Sequence, residues 1–252
     1  MRKLVLIRHG QSTWNLQNRF TGWIDVDLST DGVLEARRAG ITLKDRGYDF
    51  DAAMTSYLKR AAHSLQLILE EIDRSTLAIT TDWRLNERHY GALQGLNKKE
   101  TAERHGEQQV LAWRRGYSTR PPELGIDHPT HPRNDPLYSG IPNLPGVESL
   151  ADTLVRVGAC WKEKLLPLLS RGQRVLVVAH GNSLRALVKL LDHLSEEEIL
   201  EFNIPTAIPL VYELDENFAA LRHYYLADDA ELEAAVNGVR NQATADENEI
   251  DV

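Results

Sequence analysis

The chain has 252 residues, 42% hydrophobic and 26% charged, enough to bury the core of one large soluble globular domain, with or without an insertion. Its formal charge of −8 sits mostly in residues 227–252, where eight acids face one base, Arg240; the body carries about −1, which speaks against nucleic-acid binding yet permits a local cationic pocket. The single cysteine, Cys160, rules out an internal disulfide and a cysteine-rich metal site.

Near the N-terminus the only apolar run is Leu4 to Ile7, too short for a secretory leader or a membrane span, so a cytoplasmic protein with no membrane contact is expected. That run ends at Arg8, His9 and Gly10 and reads as a buried strand whose end opens on a crevice. Residues 30–46 predict an amphipathic helix with Val33, Ala36, Gly40 and Leu43 on one face and Gly47 as its stop. Phe50 to Ser56 predict a second strand, and the next helix carries Leu58, Ala61, Ala62, Leu65, Leu69 and Ile72 at three- and four-residue steps. The strand signal recurs over residues 77–83.

Between Tyr117 and Ser149 lie seven of the ten prolines (Pro121, Pro122, Pro129, Pro132, Pro136, Pro142, Pro145), which mark loop and not core. Residues 90–148 therefore read as an insertion over the open end of the sheet. Ser149, with Asp152 three residues on, opens a further helix. RVLVVAHG is another buried strand and NSLRALVKLLDHL another helix; PLVYELD and ALRHYYL are two short strands, joined as a hairpin around Asp215 to Asn217. Beyond Leu226 the periodicity is weak and a mobile tail is expected. Alternating strands and helices predict an α/β fold: a three-layer sandwich with a mostly parallel central sheet flanked by helices. Residues 1–226 form its single domain and 227–252 an acidic tail.

LVLIRHGQS at the start and VLVVAHGNS at 175–183 share one plan of apolar strand, histidine, glycine, amide and serine. In a parallel sheet both strands end on the same side, bringing His9 and His180 to one crevice, with Gly10 and Gly181 allowing tight turns and close approach of an anion such as phosphate. Arg8 can grip two phosphate oxygens in a planar fork. Arg60 is either a third anchor or a solvated helix arginine, and Glu87 either a proton donor and acceptor or a surface ion pair. An imidazole with an ordinary pKa of about 6.5 has a nitrogen free to attack phosphorus at neutral pH, so a phosphohistidine on His9 follows, with no metal required. A metal site joining His128 and His131 is the less favoured alternative, since the pair has no obvious carboxylate companion.

Taken together, LVLIRHGQSTWN, RFTGWIDVDLS, TSYLKRA, LNERHYGALQGLNKKETAERHG, WRRGY, PPEL, AHGNSLRALVKLLD, SEEEILEFNIPT and PLVYELDEN resemble the histidine phosphatase superfamily, and within it the 2,3-bisphosphoglycerate-dependent phosphoglycerate mutases, to about Leu226. The resemblance implies a phosphoglycerate mutase-like fold and interconversion of 3-phosphoglycerate and 2-phosphoglycerate, in glycolysis and gluconeogenesis, primed by 2,3-bisphosphoglycerate as phosphoryl donor and without metal. It implies His9 as nucleophile, His180 beside it, Glu87 as general acid and base, and Arg8 and Arg60 in the phosphate pocket with Ser12, Asn15, Gly181 and Asn182. Thr21, Gly22, Arg88, His89, Tyr90, Lys98, Arg114 and Arg115 are implied to bind the rest of the phosphoglycerate, and a homodimer or homotetramer is implied. Gln11 stands where the family commonly has glutamate, which implies a different field near His9. The alternative is a histidine phosphatase acting on small phosphorylated metabolites. A catalytically dead binding module is disfavoured, because His9, Arg8, Arg60 and His180 are all present.

Overall fold

Strand β1 (Arg2–Arg8) assigns the two faces of the sheet in the computed structural model, which describes residues 2–240. Side chains alternate across a strand, so Leu4 and Leu6 enter one core with Val175 and Val177, while Val5 and Ile7 enter the other with Leu176 and Val178. The remaining strands are β2 (Ala52–Thr55), β3 (Ile79–Thr81), β4 (Val175–Ala179), β5 (Leu210–Leu214) and β6 (Ala220–Tyr225), in the spatial order β3-β2-β4-β1-β5-β6. The first four run parallel; β5 and β6 are antiparallel and form the expected hairpin.

In chain order the α-helices are α1 (Thr13–Leu16), α2 (Thr30–Asp45), α3 (Lys59–Glu71), α4 (Lys98–His105), α5 (Glu107–Arg115), α6 (Leu150–Cys160), α7 (Leu166–Ser170), α8 (Gly181–Asp192), α9 (Glu196–Glu201) and α10 (Asp229–Arg240). Helices α2 and α3 cover one face of the sheet, contributing Ala39, Leu43, Leu65 and Ile68. The other face is covered by α6 and α8 through Leu150, Val157, Leu184 and Leu187, with Cys160 buried among them. This is the predicted sandwich. Helix starts follow the sequence signals: Ser29 accepts from the Gly32 N–H, and Ser149 and Asp152 cap each other's backbone. Gly47, at φ +70°, follows the end of α2.

Two expectations are corrected. The proline-rich stretch is not all surface loop: Leu124, His131, Pro132 and Tyr138 are buried, and Tyr138 stacks on Trp23 with ring centroids 5.0 Å apart. Aromatic area placed against distant Trp23 outweighs the local irregularity of proline. The tail, expected to be weakly periodic and mobile, forms α10 over its first part; residues 241–252 lie outside the described residues. Among the described residues no helix is long and apolar enough to cross a membrane.

Candidate active site

The register of β1 on β4 decides where the chemistry gathers. Arg8 lies opposite Ala179, and the His9 N–H donates to the Ala179 carbonyl at 3.0 Å, so the next residues of the two strands, His9 and His180, leave the sheet side by side. Their rings meet edge to face, 4.9 Å between centroids. Strand β2 delivers Ser56 and, in the first turn of α3, Arg60 to the same sheet end, and the chain after β3 delivers Glu87.

His9 is held in one tautomer. Its Nδ1 lies 2.7 Å from the Gly10 carbonyl, an acceptor only, so Nδ1 carries the proton. Nε2 is left with its lone pair, which accepts from Arg60 Nε at 3.3 Å. Burial, then Arg60 and Arg8, push the His9 pKa well below its ordinary value, keeping the ring neutral and nucleophilic. His180 is pushed down likewise, by burial first and then Arg60 and His9. Its Nε2 meets Ser56 Oγ at 2.7 Å, while Nδ1 is buried with no partner among the described residues.

The cations beside His9 are fixed by backbone. Arg60 donates to the Gly22 carbonyl at 2.7 Å and the Ile24 carbonyl at 3.0 Å, and Arg8 donates to the Ile204 carbonyl at 2.9 Å. Arg8 Nε stays buried and unpartnered among the described residues. Glu87 faces them from across the cleft: its carboxylate accepts from the Arg88 N–H at 2.6 Å and from the Asn182 N–H, in the first turn of α8, at 3.2 Å. The Gly10 turn is tight for a reason other than ligand approach. A Cβ on Gly10 would stand 2.2 Å from the Gly32 carbonyl oxygen, because the first turn of α2 packs directly on this loop.

Around these groups opens a cleft of about 690 Å³, part of it shared with solvent. Asn15, Thr21, Gly22, Tyr90, Gly181 and Asn182 line it as expected, together with Lys98, Arg114 and Arg115 from α4 and α5. Among the described residues seven cations line it (Arg8, Arg19, Arg60, Lys98, Arg114, Arg115, Arg185) against one carboxylate, Glu87. Burial, then Arg114 and Arg8, push Lys98 down to about 7; burial takes Arg114 to about 10. Such a cleft lowers its own energy by taking up a multiply charged anion.

Four expected residues do not line the cleft, although one of them, His180, stands edge to face with His9. Ser12 is buried and caps α1 through the Asn15 N–H. Arg88 donates to the Trp113 and Arg114 carbonyls, closing the end of α5. His89 accepts from the Gly91 N–H, lies edge-on to Trp23, and burial pushes its pKa down to about 3. His180 sits behind His9, fully buried and outside the lining. Sequence reasoning missed Arg19, Asn203, Val239 of α10, and above all Arg185, which donates to Asn182 Oδ1 at 3.0 Å. Its signal was present: Arg185 is one helical turn from Gly181 and Asn182, hence on the same face of α8. Gln11 does not line the cleft; its Oε1 accepts from the Ser29 hydroxyl at 2.8 Å and its N–H donates to Glu35 at 2.7 Å. Among the described residues no group of three or more His, Cys, Asp or Glu is placed to hold a metal ion.

The sequence model of the histidine phosphatase superfamily (branch 1) matches residues 4–226. Among solved structures, the mycobacterial glucosyl-3-phosphoglycerate phosphatase in its native form is 25% identical, covering 89% of this chain and 96% of that one at TM-score 0.63. Its complex with VO3 aligns at 24% identity over 89% and 97%, TM-score 0.67. A putative α-ribazole-5′-P phosphatase from Escherichia coli shares the fold at 21% identity over 89% and 97%, TM-score 0.64.

Proposed function

The chain belongs to the histidine phosphatase superfamily (branch 1), and on that footing we propose that it interconverts 3-phosphoglycerate and 2-phosphoglycerate through a phosphohistidine on His9, primed by 2,3-bisphosphoglycerate. One observation supports this reading: Lys98, Arg114 and Arg115, from α4 and α5, line the same cleft as Arg8 and Arg60. A phosphate with no second anionic group needs one such clamp. A phosphoglycerate, with phosphate and carboxylate, or a bisphosphate, occupies two.

In this scheme His9 Nε2 attacks phosphorus, the P–O ester bond breaks, and the leaving oxygen takes a proton from Glu87. In each turnover the phosphohistidine gives its phosphoryl group to the free hydroxyl of 3-phosphoglycerate, whose proton goes to Glu87 as the P–N bond breaks; the 2,3-bisphosphoglycerate so formed reorients and returns its other phosphoryl group to His9, releasing 2-phosphoglycerate. Arg8, Arg60 and His180 Nδ1 meet the charge on the equatorial oxygens. Because phosphohistidine must survive from one turnover to the next, the insertion and α10 have to exclude water; every ~1.4 kcal/mol lost from the barrier to water attack speeds hydrolysis tenfold.

A phosphatase that passes the same group to water is the second reading, favoured by the names of the structural neighbours, which are phosphatases. Chelator-treated protein given 3-phosphoglycerate, with and without trace 2,3-bisphosphoglycerate, separates the two when 2-phosphoglycerate and free phosphate are both followed. Cofactor-stimulated isomerisation with little phosphate release is expected, and loss of both isomerisation and acid-labile phosphate in His9→Ala. Phosphate release without isomerisation would make the protein a phosphatase.

A further inference from the structure

Glu87 lies between two short 3₁₀ turns, Trp83–Leu85 and Gly91–Leu93, in residues that belong to neither helix nor sheet. Buried side chains hold this stretch, Arg156 foremost. Arg156, on α6 and only 7% exposed, donates to the carbonyls of Arg84 (2.7 Å), Asn86 (2.9 Å) and Glu87 (2.9 Å). Its other two N–H bonds go to Glu148, at 2.6 and 2.9 Å, so all five donors of the guanidinium are used. Glu148 is itself tied to the segment twice: Oε2 accepts from the His89 N–H and its own N–H donates to the His89 carbonyl, each at 2.8 Å. The Glu87 carbonyl takes a second donor, Trp23 Nε1. From residue 84 to 89 the backbone is thus held on one side by a buried ion pair, while the Glu87 carboxylate projects from the other into the cleft.

Neither Arg156 nor Glu148 lines the cleft. We propose that Arg156, locked by Glu148, is the positioning residue for Glu87: it sets the distance over which that carboxylate hands its proton to the leaving oxygen. This rests on the acid and base role of Glu87 in the proposed reaction. A lysine at 156 offers three donors from one point and cannot span three carbonyls and a carboxylate. Misplacing a proton donor by about 1 Å costs on the order of 10²-fold in rate.

The test is the rate of phosphohistidine formation from two donors, in wild type and Arg156→Lys. From 2,3-bisphosphoglycerate the leaving alkoxide needs a proton; from p-nitrophenyl phosphate the leaving phenolate does not. Arg156→Lys is expected to slow the first donor about 10²-fold and the second less than about threefold. Adding Arg156→Lys to Glu87→Gln is expected to slow the first donor no further. Trp23→Phe, which keeps the ring and removes one N–H from the Glu87 carbonyl, reports in the same direction at smaller amplitude even if Arg156→Lys fails to fold. Equal losses with both donors, in whichever variant folds, or full additivity with Glu87→Gln, overturn the positioning role. Wild type forming no phosphohistidine from either donor is a different pattern: it overturns the functional reading, and this proposal with it.

Discussion

At the inner end of the cleft the cations are anchored by main-chain carbonyls of the loops around it: Arg60 on Gly22 and Ile24, Arg8 on Ile204. At the outer end Lys98, Arg114 and Arg115 ride on α4 and α5, which pack through Ala102 and Val110 on Phe20 and Leu93, a small cluster separate from the two main cores. The inner end has the rigidity that in-line transfer needs. Its outer counterpart rests on a separate small cluster, joined to the Glu87 segment through Arg88, so in the proposed reaction substrate choice is set there and the nucleophile at the inner end.

Arg115→Ala gives the widest separation between the two ends. Loss of a charge-assisted contact of about 1.5–3 kcal/mol should raise KM for 3-phosphoglycerate roughly 10- to 100-fold. His9 phosphorylation by an aryl phosphate, which occupies only the inner end, should keep its rate. Equal losses in both assays would erase the division.

Lys98 sharpens it through pH. With its pKa pushed down to about 7, Lys98 is charged below that value and increasingly neutral above it. A bound anion favours the charged form, so binding above pH 7 takes up a proton, and phosphoglycerate Kd should rise with pH by up to tenfold per unit; below 7 it levels off. Isothermal titration across pH 6 to 9 reads this slope, and Lys98→Gln should flatten it.

Gln11→Glu is expected to do least. The side chain turns away from the cleft to the Ser29 hydroxyl, a bond that glutamate also accepts, so kcat should move by less than about threefold. A larger change in the ratio of isomerisation to phosphate release would place residue 11 in the field that the nucleophile feels.

How much of this could be read from the chain depends on how local the cause is. His9 and His180 were legible because strand, histidine and glycine are contiguous and a parallel register does the rest. Arg88 and His89 were misplaced because adjacency to Glu87 says nothing about direction in an irregular segment; one turns to the end of α5, the other to Trp23. Burial of Lys98 comes with the docking of its polar KKETAERH helix, which packs through Ala102 on Phe20 and Leu93, residues outside that helix. Arg156 had no motif: three of its partners are carbonyls, which every residue carries, and the fourth is Glu148, in the irregular stretch before α6.

The contact between Gly10 and Gly32 bears on how this chain tolerates mutation. Just as a methyl group on Gly10 meets the Gly32 carbonyl, one on Gly32 would stand 1.9 Å from the Gln11 carbonyl oxygen; both obstacles are main chain, which cannot swing aside as a side chain can. In a library selected for activity, position 32 should therefore score like a catalytic position although it lies outside the cleft lining. No second-site replacement at either glycine can restore the other, since each clash is with an atom that every amino acid supplies.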